Sequence, residues 1–308
     1  MLGVLMWLVL AAALAPWLYQ GGKTLAGTAS AGECPALLEW LGAACGRADF
    51  SRFFSRALLL AALLVLPLVF WRIRRIRTAT VGTIDSCVPV LWKCAISQIV
   101  VGCLIAAGML WALGLLLEGQ GAFTPKPNPP GFGKLMGKIL VPALVVPPLE
   151  EWLIRGLLLG MLLRFSKPLA ACVGTSLFFA FIHFLKPPQG SVIADPASAL
   201  AGFELLGKVL LNFMDPRFFV ADFATLFVGG MILALARVRT GALWFSIGLH
   251  AGWIAGFKAF NLFYRPAQSP LWGIGETFSG PFPMVTLGLT AVICHFALRQ
   301  FEAKQAIG

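Results

Sequence analysis

Eight apolar runs, each long enough to cross a bilayer as a helix, occur at about residues 2–20, 54–71, 95–117, 135–163, 168–185, 219–236, 241–260 and 281–299. A hydrocarbon core of about 30 Å takes roughly 20 apolar residues per helical crossing. In lipid, backbone N–H and C=O groups must be satisfied within the protein, which limits spanning structures to helices and closed barrels. Runs of this length select helices. The chain is 59% hydrophobic and 12% charged, against roughly 25% charged in a soluble globular domain. The expected fold is therefore all-α and polytopic, with about eight transmembrane helices. The run at 135–163 is too long for one straight span, and Pro142, Pro147 and Pro148 are expected to break, kink or tilt it.

The net charge of +11 follows membrane topology and does not suggest a nucleic-acid surface. With the N-terminus inside, the inner segments are short and dense in cations. They carry Arg72, Arg74, Arg75, Arg77 and Lys93, then Arg164 and Lys167, then Arg237 and Arg239, then Arg299 and Lys304. The outer segments, at about 21–53, 118–134, 186–218 and 261–280, hold fewer Lys and Arg per residue. This is the positive-inside pattern. The first run has no basic n-region and continues through Trp17 and Leu18 without a clean cleavage site, so it reads as a retained anchor.

Composition divides the chain into an N-terminal membrane region (1–117), a Pro/Gly-rich outer loop (118–134), a helical core (135–260) and a C-terminal part (261–308). The stretch TPKPNPPGFGK (124–134) is expected to resist both helix and strand. In the long outer stretch near 186–217, PASALAGFELLGKVLLNF reads as an amphipathic helix at the interface. The seven cysteines contain no CxxC pair and give no metal-site signal. Cys34 and Cys45 share an outer loop, where a disulfide is an expectation; the others read as small packing residues.

The chemistry lies between 150 and 254. Glu150, Glu151 and Arg155 interrupt an apolar run, and an ionisable group at that depth usually faces the protein interior or a water-filled cavity. On a helix Glu151 and Arg155 are i and i+4 and can pair. Glu150 points about 100° away, toward a different neighbour. His183 lies near the outer end of its run, with Phe179 one turn earlier. His250 lies near the middle of its run, flanked by Gly248, Gly252 and Gly256, whose spacing suits close helix–helix approach and is expected to place His250 at that tight contact and away from lipid. Gly156 and Gly160 suggest a similar face on the glutamate helix. His295 has no acidic or histidine companion nearby and reads as structural. Two glutamates, an arginine and two histidines on three spans make up a set for activating water inside a membrane.

EEWLIR (150–155), FAFIH (179–183) and HAGWI (250–254) resemble, in order and spacing, the EExxxR, FxxxH and HxxxN motifs of the CPBP family. These are the CAAX-prenyl-endopeptidase-like and bacteriocin-processing (Abi) intramembrane proteases. The resemblance covers roughly 135–260. It implies a glutamic intramembrane endopeptidase with a polar active-site cavity, acting on a membrane-anchored protein or peptide. Glu150 would be the general base, assisted by His183; Glu151 and Arg155 would orient the site; His250 would stabilise the oxyanion. Phe179, Trp253 and Ile254 would line the cavity. Ile254 stands where the motif has Asn, so one expected oxyanion donor is replaced by an apolar side chain.

The resemblance implies no cofactor; a zinc-dependent alternative would use Glu150, His183 and His250 as ligands. A non-catalytic immunity or scaffold protein, favoured by Ile254, and a transporter are the other readings. The expected location is a bacterial inner membrane, with the cavity opening outward. The oligomeric state and the identity of the substrate are not legible.

Overall fold

A computed structural model describes residues 2–31, 35–77, 92–128, 131–185, 187, 191–212, 216–267 and 281–307. Eleven α-helices and one π-helix carry most of the described chain. They are α1 (Leu2–Ala31), α2 (Ala36–Gly46), α3 (Phe50–Arg77), α4 (Trp92–Gly119), α5 (Phe132–Glu151), a π-helix (Trp152–Leu158), α6 (Leu159–Leu162), α7 (Pro168–His183), α8 (Ala201–Asn212), α9 (Pro216–Thr240), α10 (Trp244–Phe263) and α11 (Pro281–Ile307). Strands β1 (Phe123–Pro125) and β2 (Tyr264–Pro266) pair antiparallel, Thr124 opposite Arg265. Among the described residues the protein is all-α apart from this short ribbon.

Among the described residues, four helical segments are long and apolar enough to cross a bilayer: Val4–Ala31, Trp92–Gly119, Phe223–Thr240 and Phe282–Phe301. The other expected runs are also helical. At 16 residues α7 is shorter than a span, and the run at 135–163 is divided among α5, the π-helix and α6. With these helices the chain is an integral membrane protein.

Two compact units are formed, Met1–Val81 with Phe181–Phe218, and Gly82–Ala180 with Phe219–Gly308. In the first, α1 packs on α2, α3 and α8. Trp7 Nε1 donates to the Leu58 carbonyl at 2.7 Å. Lys23 Nζ donates to the carbonyls of Gly46 and Ala48 at 2.8 and 2.9 Å, holding the turn that leads into α3. The expected helix in the outer stretch is present as α8. Its buried residues include Ala201, Leu205 and Val209, and a Cβ on Gly202 would overlap the Ala12 carbonyl. Its inner face is thus turned to α1. Cys34 and Cys87, and the side chains of Arg72, Arg74, Arg75, Arg77 and Lys304, lie outside the described residues, so the Cys34–Cys45 pairing does too.

In the second unit, α10 lies parallel to α4. Ile99 meets Gly248, Cys103 meets Gly252 and Ala107 meets Gly256, in the same chain order. The missing side chains let the two backbones touch, as the glycine spacing predicts. Reciprocally, a Cβ on Gly102 would fall 2.7 Å from the Phe245 carbonyl oxygen. At one end Leu113, Leu117, Phe123 and Phe260 form a cluster that Phe282 of α11 joins. Phe301 reaches Phe245 at 6.0 Å near the other end, so α11 runs antiparallel to both. Val238 of α9 packs against the same buried cluster (Leu159, Ala171, Cys172 and Ala234) as Leu162 and Leu163 of α6 and its following turn. Lys93, Arg164, Lys167, Arg237, Arg239 and Arg299 therefore share one end of this unit. Arg239 Nη1 lies 3.0 Å from His295 Nδ1, joining α9 to α11 there.

Three expectations change. Both ends of 124–134 are regular: Thr124 and Pro125 belong to β1, and Phe132, Gly133 and Lys134 open α5. Pairing with β2 supplies the tertiary partner that local composition cannot show. The helix is not broken at Pro142, Pro147 or Pro148, which all lie inside α5. The irregularity follows the glutamates, where the hydrogen-bonding widens to a π-helix over Trp152–Leu158, a local change frequent at functional sites. Nor do Gly156 and Gly160 form a tight helix contact. A Cβ on Gly156 would meet side-chain atoms of Leu243 and Trp152 at an ordinary 3.6 Å, and one on Gly160 nothing within 4 Å.

Candidate active site

Four elements of the second unit bring five side chains together. The end of α5 delivers Glu150 and Glu151, and the π-helix delivers Arg155. Glu151 and Arg155 are completely buried, and Arg155 Nη1 donates to Glu151 Oε1 at 3.0 Å. The i,i+4 pairing expected from the sequence is present, inside the wide turn. The Glu150 side chain, rotated to another face, keeps 24% of its surface exposed. One glutamate is thus enclosed with the arginine, and its neighbour remains accessible.

The fourth side chain is His250 on α10, 5% exposed. It lies two residues from Gly248 and from Gly252, about 200° around the helix from each. The glycines face α4, so His250 is on the opposite side of α10 from that tight contact and not within it. Its Nδ1 lies 3.0 Å from Glu151 Oε1, and its Nε2 lies 3.7 Å from Glu150 Oε2. The imidazole spans the two carboxylates. An ionised Glu151 held by Arg155 can only accept, so Nδ1 carries the hydrogen and Nε2 is turned toward Glu150.

Phe179 of α7 completes the group. Its ring centroid is 4.3 Å from the Arg155 guanidinium carbon and 5.9 Å from the His250 ring, which it meets edge-on. From α9 the Gly230 carbonyl accepts from Arg155 Nη2 at 3.3 Å. By helix rise, His250 lies about 9 Å from the start of α10, and Gly230 about 15 Å from the end of α9. Both distances are measured from the basic end, so the group sits deep between the helix termini.

Of the other expected site residues, His183 closes α7 one turn beyond Phe179 and falls in the first compact unit. The Trp253 ring lies 3.9 Å from the Cβ position of Gly229 on α9. Ile254 is half-buried one turn beyond His250. The sequence reading missed Gly230, the π-helix and buried Ser246. Ser246 lies one turn before His250 and donates its hydroxyl to the Leu243 carbonyl at 2.9 Å. The Gly229–Gly230 pair in an apolar span was the available signal for the first. No comparable pattern marks a π-helix. Among the described residues, no cluster of three or more His, Cys, Asp or Glu side chains is placed to hold a metal ion.

No curated protein and no solved structure matches the chain. Residues 132–255 match a protein-family model, Rce1-like, of type II CAAX prenyl endopeptidases. The match begins with α5 and ends within α10, so it contains all five converging side chains and all three motifs. Over residues 132–255 the chain is therefore similar to the Rce1-like family of CAAX-type proteases, in agreement with the resemblance of its motifs.

Proposed function

We propose that this protein is an intramembrane endopeptidase that hydrolyses a peptide bond of a membrane-anchored protein or peptide with a glutamate-activated water. The observation that carries the reading is His250 spanning Glu150 and Glu151 within the family-matched segment. Glu150, the more accessible carboxylate, takes a proton from water as the water oxygen attacks the scissile carbonyl carbon. The tetrahedral oxyanion forms, the C–N bond breaks, and the proton on Glu150 passes to the leaving amine. With Nδ1–H directed to Glu151, the Nε2 side of His250 is left to face the substrate, where an N–H at that nitrogen would donate to the developing oxyanion. His183 assists the base by virtue of its motif position.

The Glu151–Arg155 pair orients the site without entering the reaction. Glu151 Oε2 and Arg155 Nε have no hydrogen-bond partner among the described residues. Buried polar atoms of this kind are usually met by ordered water, which fits a hydrated site.

The test is Glu150→Gln, which preserves volume and hydrogen bonding but removes the base. Processing should stop while the protein stays folded in the membrane; processing at the normal rate would refute the assignment. A zinc mechanism would recruit Glu150, His183 and His250 and would fail under strong chelation, whereas a glutamate-activated water predicts that activity survives it. Ile254 favours a second reading, a non-catalytic membrane protein on the same fold, which predicts no cleavage product in any membrane fraction.

A further inference from the structure

We infer that Phe179 of α7 and Gly230 of α9 are positioning residues that together cage the Arg155 guanidinium and, through it, hold Glu151 against His250. The side chain of a buried arginine must be matched on its flat face and along its donor edges. Here the face lies on the Phe179 ring at 4.3 Å, the attraction being between the cation and the ring quadrupole. One edge donates to Glu151 at 3.0 Å and another to the Gly230 carbonyl at 3.3 Å. The Phe179 ring also borders His250 at 5.9 Å, so it fixes both ends of the chain Arg155–Glu151–His250.

Gly230 contributes through the side chain it lacks. A Cβ there would lie 3.2 Å from Phe179 Cδ1 and 3.2 Å from Ser176 Cα and Cβ. Added bulk would push α9 from α7 and withdraw the carbonyl from the guanidinium. Helix α9 carries none of the three sequence motifs, so this assigns it a part in the site. Freed of either contact, the guanidinium swings, Glu151 follows it, and the imidazole loses the acceptor that fixes its tautomer. Neither residue touches reacting atoms.

The activity arm of the test rests on the proteolytic reading; the imidazole arm does not. The full-length protein in detergent micelles is prepared as Phe179→Leu, Phe179→Tyr and Gly230→Ala. The hydrogen-bonded Nδ1–H of His250 is followed by 15N-resolved NMR, assigned with His250→Gln. kcat and KM are measured on a cleaved substrate. Loss of a desolvated cation–π contact in Phe179→Leu should lower kcat roughly 10-fold with KM unchanged. The Nδ1–H resonance should move or broaden in the same variant, and Phe179→Tyr should restore both. Gly230→Ala should act in the same direction as Phe179→Leu, and it decides the matter if that variant does not fold. An unchanged Nδ1–H signal and kcat in Phe179→Leu, or a Phe179→Tyr as impaired as Phe179→Leu, would overturn the cage. If Glu150→Gln still cleaves, the assignment of Glu150 as the base fails; if the intact chain cleaves nothing, the proteolytic reading fails; in both cases the NMR arm still decides the cage.

Discussion

Arg155 is the residue whose removal the fold should tolerate least. Breaking a buried ion pair by deleting one partner costs on the order of 3–5 kcal/mol, because the other charge stays buried without compensation. Arg155→Ala is therefore expected to destabilise the protein by about that amount, read as a lowered thermal unfolding midpoint in detergent. Removing both charges together, as in Glu151→Gln with Arg155→Met, should cost less than Arg155→Ala alone. Ile254 makes the opposite prediction. Loss of one oxyanion donor typically costs about 10²–10³ in rate, so Ile254→Asn should raise kcat if Asn reaches the oxyanion. A rate unchanged by Ile254→Asn would mean that another group already serves there. The charged residues were legible because ionisable groups are rare in apolar runs. The Glu151–Arg155 pairing was legible because i and i+4 share a face. The link from His250 to both glutamates was not, since it depends on how α10 is turned: the glycine stripe pointed His250 into the tight contact, whereas a two-residue offset carries it to the opposite side.

At the scale of elements, two glycine patterns that look alike in sequence behave differently. On α10 a Cβ at Gly248 or Gly252 would overlap the carbonyl of Ile99 or Cys103. Gly252→Val should therefore separate α10 from α4 and abolish the folded state, measured as loss of a monodisperse peak in size-exclusion chromatography. Gly160 meets nothing within 4 Å, so Gly160→Ala should be tolerated and gain up to about 1 kcal/mol in helix stability. Equal sensitivity at the two sites would contradict the assigned packing. Spacing revealed a surface able to pack closely, but not whether a partner occupies it. For α10 the partner is α4, about 150 residues earlier in the chain, a pairing that local pattern does not encode. The π-helix escaped for a related reason: its i→i+5 bonding is a backbone choice made under tertiary load, whereas the prolines nearby were visible and α5 absorbed them.

At the scale of the whole molecule, the apolar runs forecast an all-helical membrane protein, and the helices fall where the runs do. The grouping of Lys93, Arg164, Lys167, Arg237, Arg239 and Arg299 at one end of the second unit agrees with the charge asymmetry of the sequence. On the positive-inside pattern, a reporter fused in the 164–167 turn should give an inside signal, and an outside signal would reverse the proposed orientation. The sequence could not forecast that α4 packs in the same unit as the family-matched helices, because nothing in its apolar surface names α10 as its neighbour. The most direct measurement of the central claim compares the protein termini of membrane fractions from cells carrying the intact chain and cells carrying Glu150→Gln. The account predicts new termini in membrane-anchored proteins or peptides that appear with the intact chain and vanish with Glu150→Gln at equal abundance of folded protein. Identical termini in the two fractions would contradict it.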